Sequence, residues 1–199
     1  MKAIIGRKIG MTRIYDEEGN ALPVTLVIAE PNTISQVKTQ EKDGYDSVQL
    51  ALSEEKKINK PQAGHLAKAK IKSRHLKEFN LGANIQVGSK INLSTFKKGD
   101  FINVTSISKG KGFAGTVKRH HFHLGPKTHG GDNYRRPGSI GSMYPQRVIK
   151  GRRMAGHLGN KKVTAKNIKI ADISLENHIL MLSGAVPGPK KGIVYIWSK

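Results

Sequence analysis

The sequence predicts a mainly β protein, an antiparallel barrel interrupted by one long, basic, glycine-rich internal extension and carrying a minor helix. Three observations support this. Short runs rich in β-branched and aromatic residues recur between turn signals, the pattern of many short strands in a barrel or sandwich. Between two such sets lies Lys109–Lys162, 54 residues with almost no alternating or helical apolar pattern. The chain has 199 residues and no cysteine, so its core is built without disulfides, thiolate nucleophiles or Cys-based metal sites.

Each element has its own signal. Met11–Tyr15 and Leu22–Ile28 read as a hairpin around the turn Asp16–Asn20, where Gly19-Asn20 supplies the turn chemistry. Thr33–Lys38 and Ser47–Leu52 flank Asp43-Gly44, and Lys90–Leu93 and Phe101–Ile107 flank Lys97-Lys98-Gly99-Asp100. In Phe101–Ile107, Ile102 and Val104 alternate with Asn103 and Thr105, the signature of a half-buried strand. His65–Phe79 (HLAKAKIKSRHLKEF) is the one helical reading, broken and basic. Beyond the basic stretch the β pattern resumes in Val163–Ile173, Ile179–Leu182 and Ile193–Trp197, with Glu176-Asn177 in a turn. The predicted organisation is a barrel domain formed by 1–108 and 163–199, with a short helical insert near 61–80, and an extended basic loop over 109–162.

Charge narrows the function. The chain holds 35 Lys and Arg against 14 Asp and Glu, a net charge of +21. That density opposes compaction and is relieved by a polyanion, for which nucleic acid is the leading candidate because phosphate contacts release counterions. No apolar stretch approaches the roughly 20 residues of a spanning helix. No signal-peptide core precedes Gly10, since Lys2, Arg7 and Lys8 interrupt the apolar residues. A soluble protein acting without a membrane is expected. Lys109–Lys162 carries 13 of the basic residues and one acid, Asp132, together with 11 of the 22 glycines and five of the eight histidines.

Motifs for other chemistries fail on inspection. Gly110–Gly115 (GKGFAG) matches G-x-G-x-x-G after a predicted strand, but Thr116–Leu124 is too short and aromatic for the helix a dinucleotide site requires, and Thr116 stands where a phosphate loop has Lys. His120, His121, His123, His129 and Asp132 fit no metal-ligand spacing, and the surrounding cations repel a divalent ion. Ser139 and Ser142 lie near His129 and His157 in sequence, but no acid other than Asp132 is there to complete a relay. Acids elsewhere, such as Asp16, Glu17, Glu18, Glu54 and Glu55, read as solvated turn residues. No catalytic residue, metal, cofactor or small-molecule substrate is expected. A solvating disordered linker would not need Phe113, Phe122, Tyr134, Met143, Tyr144 and Met154. Small residues, spaced cations and a few flat rings suit a chain that threads between RNA helices, where Arg matches phosphate and stacks on bases.

Several motifs in fixed order then carry a resemblance over nearly the whole chain. They are Gly6–Arg13 (GRKIGMTR) with Pro23-Val24-Thr25, Ser108–Gly115 (SKGKGFAG) with Thr116–Arg119, His129-Gly130 with Arg136–Gly141 (RPGSIG), Lys150–His157 (KGRRMAGH) with Gly159-Asn160, and Gly184–Gly188 (GAVPG). Each is weak to moderate alone; together they are specific. The series resembles the bacterial form of the L-three family of large-subunit ribosomal proteins.

The resemblance implies a translation-protein-type β-barrel that binds near the 3′ end of 23S rRNA and nucleates subunit assembly. It implies an extension reaching toward the peptidyl-transferase centre without doing chemistry. It also implies a place in the cytoplasmic large ribosomal subunit, beside neighbours numbered thirteen, fourteen, seventeen and nineteen. The candidate rRNA-binding residues are Lys109, Lys111, Lys118, Arg119, His120, His121, Arg135, Arg136, Arg147, Lys150, Arg152, Arg153, His157, Lys161 and Lys162. Tyr134 and Tyr144 join His157 as candidates for base or sugar contact. In one position the sequence departs from the family. Ser142 follows Gly141 where many bacterial members carry a glutamine that a methyltransferase modifies, and Gln146 falls at a different place in the motif. That removes the basis for expecting the modification. A generic nucleic-acid-binding architectural protein is the alternative reading, distinguished by equal preference for duplex DNA. An enzyme holding a nucleotide or flavin on the barrel rests on fold analogy alone.

Overall fold

A computed structural model describes residues 1–52, 57–81 and 85–198. Glu54 and Glu55, expected as turn acids, lie outside these. The strands and helices run in the order β1 (Lys2–Tyr15), β2 (Ala21–Ile28), β3 (Asn32–Lys38), α1 (Gln40–Asp43), β4 (Ser47–Ala51), α2 (Lys60–Leu66), β5 (Leu76–Phe79), β6 (Lys90–Ile91), β7 (Phe101–Ile107), β8 (Phe113–Ala114), α3 (Thr116–His120), β9 (Gly156–His157), β10 (Lys162–Ser174), β11 (Ile179–Ser183) and β12 (Ile193–Ser198). They form two compact units, one of residues 1–108 and 162–199, the other of 109–161.

In the first unit six strands close into a barrel in the order β1-β12-β7-β10-β11-β2, every pair antiparallel. The predicted hairpin is β1–β2, with Tyr15 opposite Ala21. Side chains alternate across each strand. Ile4, Val27, Ile102, Val104, Ile168, Ile170, Leu180, Leu182, Val194 and Ile196 fill the interior, joined by Leu93 and Phe96 from the turn after β6. Burying each large aliphatic chain contributes about 1.5–3 kcal/mol, so this cluster is the main source of stability. Register shifts at Lys8/Gly10 in β1 and Ala165/Ile168 in β10 bend these long strands around the barrel.

A second sheet, ordered β5-β4-β3-β6, lies against the outer face of β1 and β12. Ala3 and Ile5 of β1 and Tyr195 and Trp197 of β12 point out of the barrel and pack with Ile34, Val48, Leu50 and Phe79 of this sheet. The buried side chain of Asn32 aligns the two layers, since its Oδ1 accepts from the Ile5 amide at 2.5 Å and its Nδ2 donates to the Ile5 carbonyl at 3.1 Å.

Two readings of the sequence are corrected, the extent of the helix and the place of Lys162. The helix occupies Lys60–Leu66, and Leu76–Phe79 is strand β5. Beyond Leu66 a 3-10 turn over Ala67–Ala69 ends at Lys70 in the left-handed region at φ 52°, and from there Ile71 and Ser73 are buried while Lys72 and Arg74 are exposed. Lys90–Ile91 pairs with β3 while Phe101–Ile107 lies in the barrel, so the turn at 97–100 joins two sheets. Lys162 opens β10 opposite Ile107 and belongs to the barrel unit. No helix among the described residues is long and apolar enough to cross a membrane.

Candidate nucleic-acid interface

The unit of residues 109–161 leaves the barrel sequence between β7 and β10 and carries 12 Lys and Arg against the single acid Asp132. Only Ala114 and Thr116 are buried in it. Ordering backbone costs roughly 1–2 kcal/mol per residue, and two small buried side chains cannot offset that over such a length. Its shape is therefore held by hydrogen bonds and close backbone contacts, and most of its side chains remain available to a partner.

The base of the unit is a short ladder. Phe113 stands opposite His157 and Ala114 opposite Gly156. The Lys111 amide donates to the Leu158 carbonyl and the Leu158 amide to the Gly112 carbonyl, both at 2.9 Å. Glycine is required where these arms meet. Gly159 has φ +78° and its missing Cβ would collide with the carbonyl oxygen of Lys109. Its neighbour Gly156 faces the guanidinium of Arg119. The Gly110–Gly115 glycines thus serve the start of the ladder. They lead into the five-residue α3, ended by His121 in the left-handed region at φ 58°.

Several of the candidate rRNA-binding residues engage the protein itself. Arg119 Nη1 donates to the Met154 carbonyl at 2.6 Å, and His120 Nε2 lies 3.1 Å from the same oxygen. Both are half-buried. They tie α3 to the returning arm, leaving the guanidinium's other nitrogens to reach outward. Farther along, the Gly125 amide donates to the Tyr134 carbonyl at 3.0 Å, and Lys127 Nζ sits 5.4 Å from the centre of the Tyr134 ring. Arg152 Nη2 donates to the Ser139 carbonyl at 2.5 Å, which draws RPGSIG toward KGRRMAGH. Ser142 Oγ donates to the Tyr144 carbonyl at 2.9 Å, so this serine locks its own loop.

The other predicted residues fall on the surface. Lys109, Lys111, Lys118, His121, Arg135, Arg136, Arg147, Lys150, Arg153, His157 and Lys161 are exposed. Tyr144 is 85% and Met143 91% exposed, two adjacent large side chains whose apolar surface is left in water. Tyr134 is half-buried under Lys127 rather than open on both faces. Lys162 lies apart from this set, in β10. Sequence reasoning did not identify Lys127, Met154 or Gly156 as parts of the scaffold. The bond from Arg119 to Met154 spans 35 residues and no local signal announces it; the small residue at Gly156 was the one available hint.

The comparisons with known proteins agree with one another. The family model described as ribosomal protein L3 matches residues 32–178. The large ribosomal subunit protein uL3 of Mycoplasmopsis pulmonis is 47% identical over 203 residues, which cover 98% of this chain and 76% of that protein. The uL3 of Geobacillus stearothermophilus is 46% identical over 202 residues, covering 99% and 95%. That of Brachyspira pilosicoli is 47% identical over 202 residues, covering 98% and 93%.

Proposed function

Since the chain belongs to the ribosomal protein L3 family, we propose that it is a structural constituent of the large ribosomal subunit that binds 23S rRNA near its 3′ end and nucleates assembly there. The role is structural rather than enzymatic, as befits the family. The observation that carries the RNA-binding reading is the unit of residues 109–161, which is strongly basic, nearly coreless and locked into shape by backbone contacts.

The mechanism has two parts. Barrel-surface Lys and Arg hold rRNA by shape and phosphate contact, because the narrow A-form major groove is closed to side chains. The extension passes between RNA helices toward the peptidyl-transferase centre. Its Arg135, Arg136, Arg147, Lys150 and Arg153 neutralise phosphates there. Tyr144 and His157 stack on bases or pack on sugars. Arg119, His120 and Arg152 keep the scaffold in register while offering their remaining donors. Lys109, Lys111, Lys118, His121 and Lys161 add phosphate contacts from the same unit, and Lys162 adds one from β10 of the barrel unit. Large-subunit proteins thirteen, fourteen, seventeen and nineteen are the proposed neighbours, and the cytoplasmic ribosome is the place of action.

Competition binding at moderately high salt tests this. The full chain is offered a 3′-terminal large-subunit rRNA fragment against unrelated structured RNA and duplex DNA. Preference for the rRNA fragment is expected to survive salt that strips non-specific contacts. Equal affinity for all three would leave a generic architectural polycation.

A further inference from the structure

A cleft of about 280 Å³ opens in the barrel unit between the edge strand β5 and the outer faces of β7, β10 and β12. That lies just below the roughly 300 Å³ at which clefts for whole small ligands begin. Its lining is unlike the rest of the basic surface. Phe79, Tyr195 and Trp197 supply three aromatic rings, Lys77 and Lys162 two cations, and Asn80 an amide able to donate and accept. Thr105 and Thr164, paired across β7 and β10 with their hydroxyls 2.9 Å apart, complete the wall. The acid Glu78 also lines it, but its charge is matched by Lys38 Nζ at 2.8 Å.

Rings, a bifunctional amide and flanking ammonium groups are the components that hold one unstacked base and its adjoining phosphates. The rings are also pre-positioned. Tyr195 and Trp197 stand on the outward face of β12, whose inward Val194 and Ile196 are fully buried, so neither ring can turn into the barrel. We infer that this cleft binds a single splayed-out nucleotide of single-stranded RNA, with the base against Trp197 and Tyr195 and its phosphates toward Lys77 and Lys162. This second contact rests on the ribosomal reading above and lies in the barrel unit, whereas the first lies in the extension.

Trp197 is the chain's one tryptophan and lines this cleft, so its fluorescence responds to binding there. The full chain is titrated with a hexameric oligoadenylate, with an abasic hexamer of the same charge, with adenosine 5′-monophosphate and with an acidic decapeptide. Saturable quenching by oligoadenylate and none by the abasic strand is expected. Half-saturation should rise at least fivefold in Lys77→Ala, whose fold is checked by its circular dichroism. Equal responses to oligoadenylate and abasic strand, or monophosphate binding as tightly as the strand, would overturn the inference. So would a response to the peptide alone. Filter retention of the rRNA fragment is measured in parallel. Retention with unchanged Trp197 emission sinks the cleft and spares the ribosomal reading, whereas loss of retention sinks that reading itself.

Discussion

Arg119 occupies the space that a side chain at position 156 would need. Its Nη1 lies 2.7 Å from where a Cβ on Gly156 would stand, while the same nitrogen donates to Met154. A cation and a missing methyl group thus fasten the outgoing and returning arms of the extension. At Gly159 the obstacle is instead the backbone of Lys109 together with a positive φ.

That difference ranks two substitutions. At Gly156, alanine has only to displace the far end of a flexible side chain. At Gly159, alanine meets fixed backbone in a conformation that L residues resist. Gly159→Ala should open the ladder, seen as loss of hydrogen-exchange protection at the Lys111 and Leu158 amides. Gly156→Ala should leave most of that protection in place. Equal protection in the two variants would contradict the ranking.

Ile107 and Lys162 already face each other across β7 and β10. Replacing residues 108–161 by an Asn-Gly turn joins them directly in hairpin geometry. The shortened chain should fold, with near-ultraviolet circular dichroism from Trp197 preserved. Its thermal midpoint at low salt should match or exceed the parent's, because a strongly self-repelling segment has been removed. A molten or aggregated product would mean that the barrel depends on the extension.

Salt offers a count of phosphates. Arg135 and Arg136 are adjacent and exposed. Changing both to alanine should reduce the slope of log affinity against log salt by roughly 1.4–1.8, with about 0.7–0.9 from each lost phosphate. Arg119→Ala should show a smaller change in slope but a larger loss of ladder protection, since its first partner is Met154. Filter binding of the rRNA fragment at several salt concentrations measures both slopes.

On the outer sheet, Glu78 accepts a hydrogen bond from Lys38 at 2.8 Å and another from the Tyr45 hydroxyl at 3.0 Å. The Lys38 hydrogen bond, foremost, holds its carboxyl below the usual 4.5, and the Tyr45 bond adds to this. A depressed carboxylate contributes stability above its unfolded pKa and loses it as pH falls through the folded one. The parent should therefore lose stability from about pH 5 downward, and Glu78→Gln should be less acid-sensitive over that range. The effect is small because the pair is partly exposed and screened. Urea melts between pH 7 and pH 3 compare the two; parallel curves would rule out a contribution from Glu78.

The strands with one wet face were legible in the sequence. In β7, Ile102 and Val104 announce their burial by alternating with polar neighbours. The start of β1 was not legible as a strand, because Ala3-Ile4-Ile5 is buried on both faces, Ile4 within the barrel and its neighbours beneath the second sheet. Double burial erases alternation. At Ala69–Ser73, lysines between small and apolar residues imitate a broken helix, and only the packing of Leu66, Ala69 and Ile71 on Ala51 separates the two readings. In the extension, composition revealed a basic, glycine-rich segment with almost no core of its own. The ladder escaped notice because β8 and β9 are two residues each and their pairing spans more than 40 positions of chain.

The barrel has a consequence for how the protein is made. β12 sits between β1 and β7, so the ring stays open until the last strand has been synthesised. Residues 109–161 emerge before that. At roughly 5–20 residues per second, the remaining strands take several seconds, during which a polycation trails from a half-built sheet with bare edges. Whatever anion it meets in that interval meets it before the barrel exists to hold it.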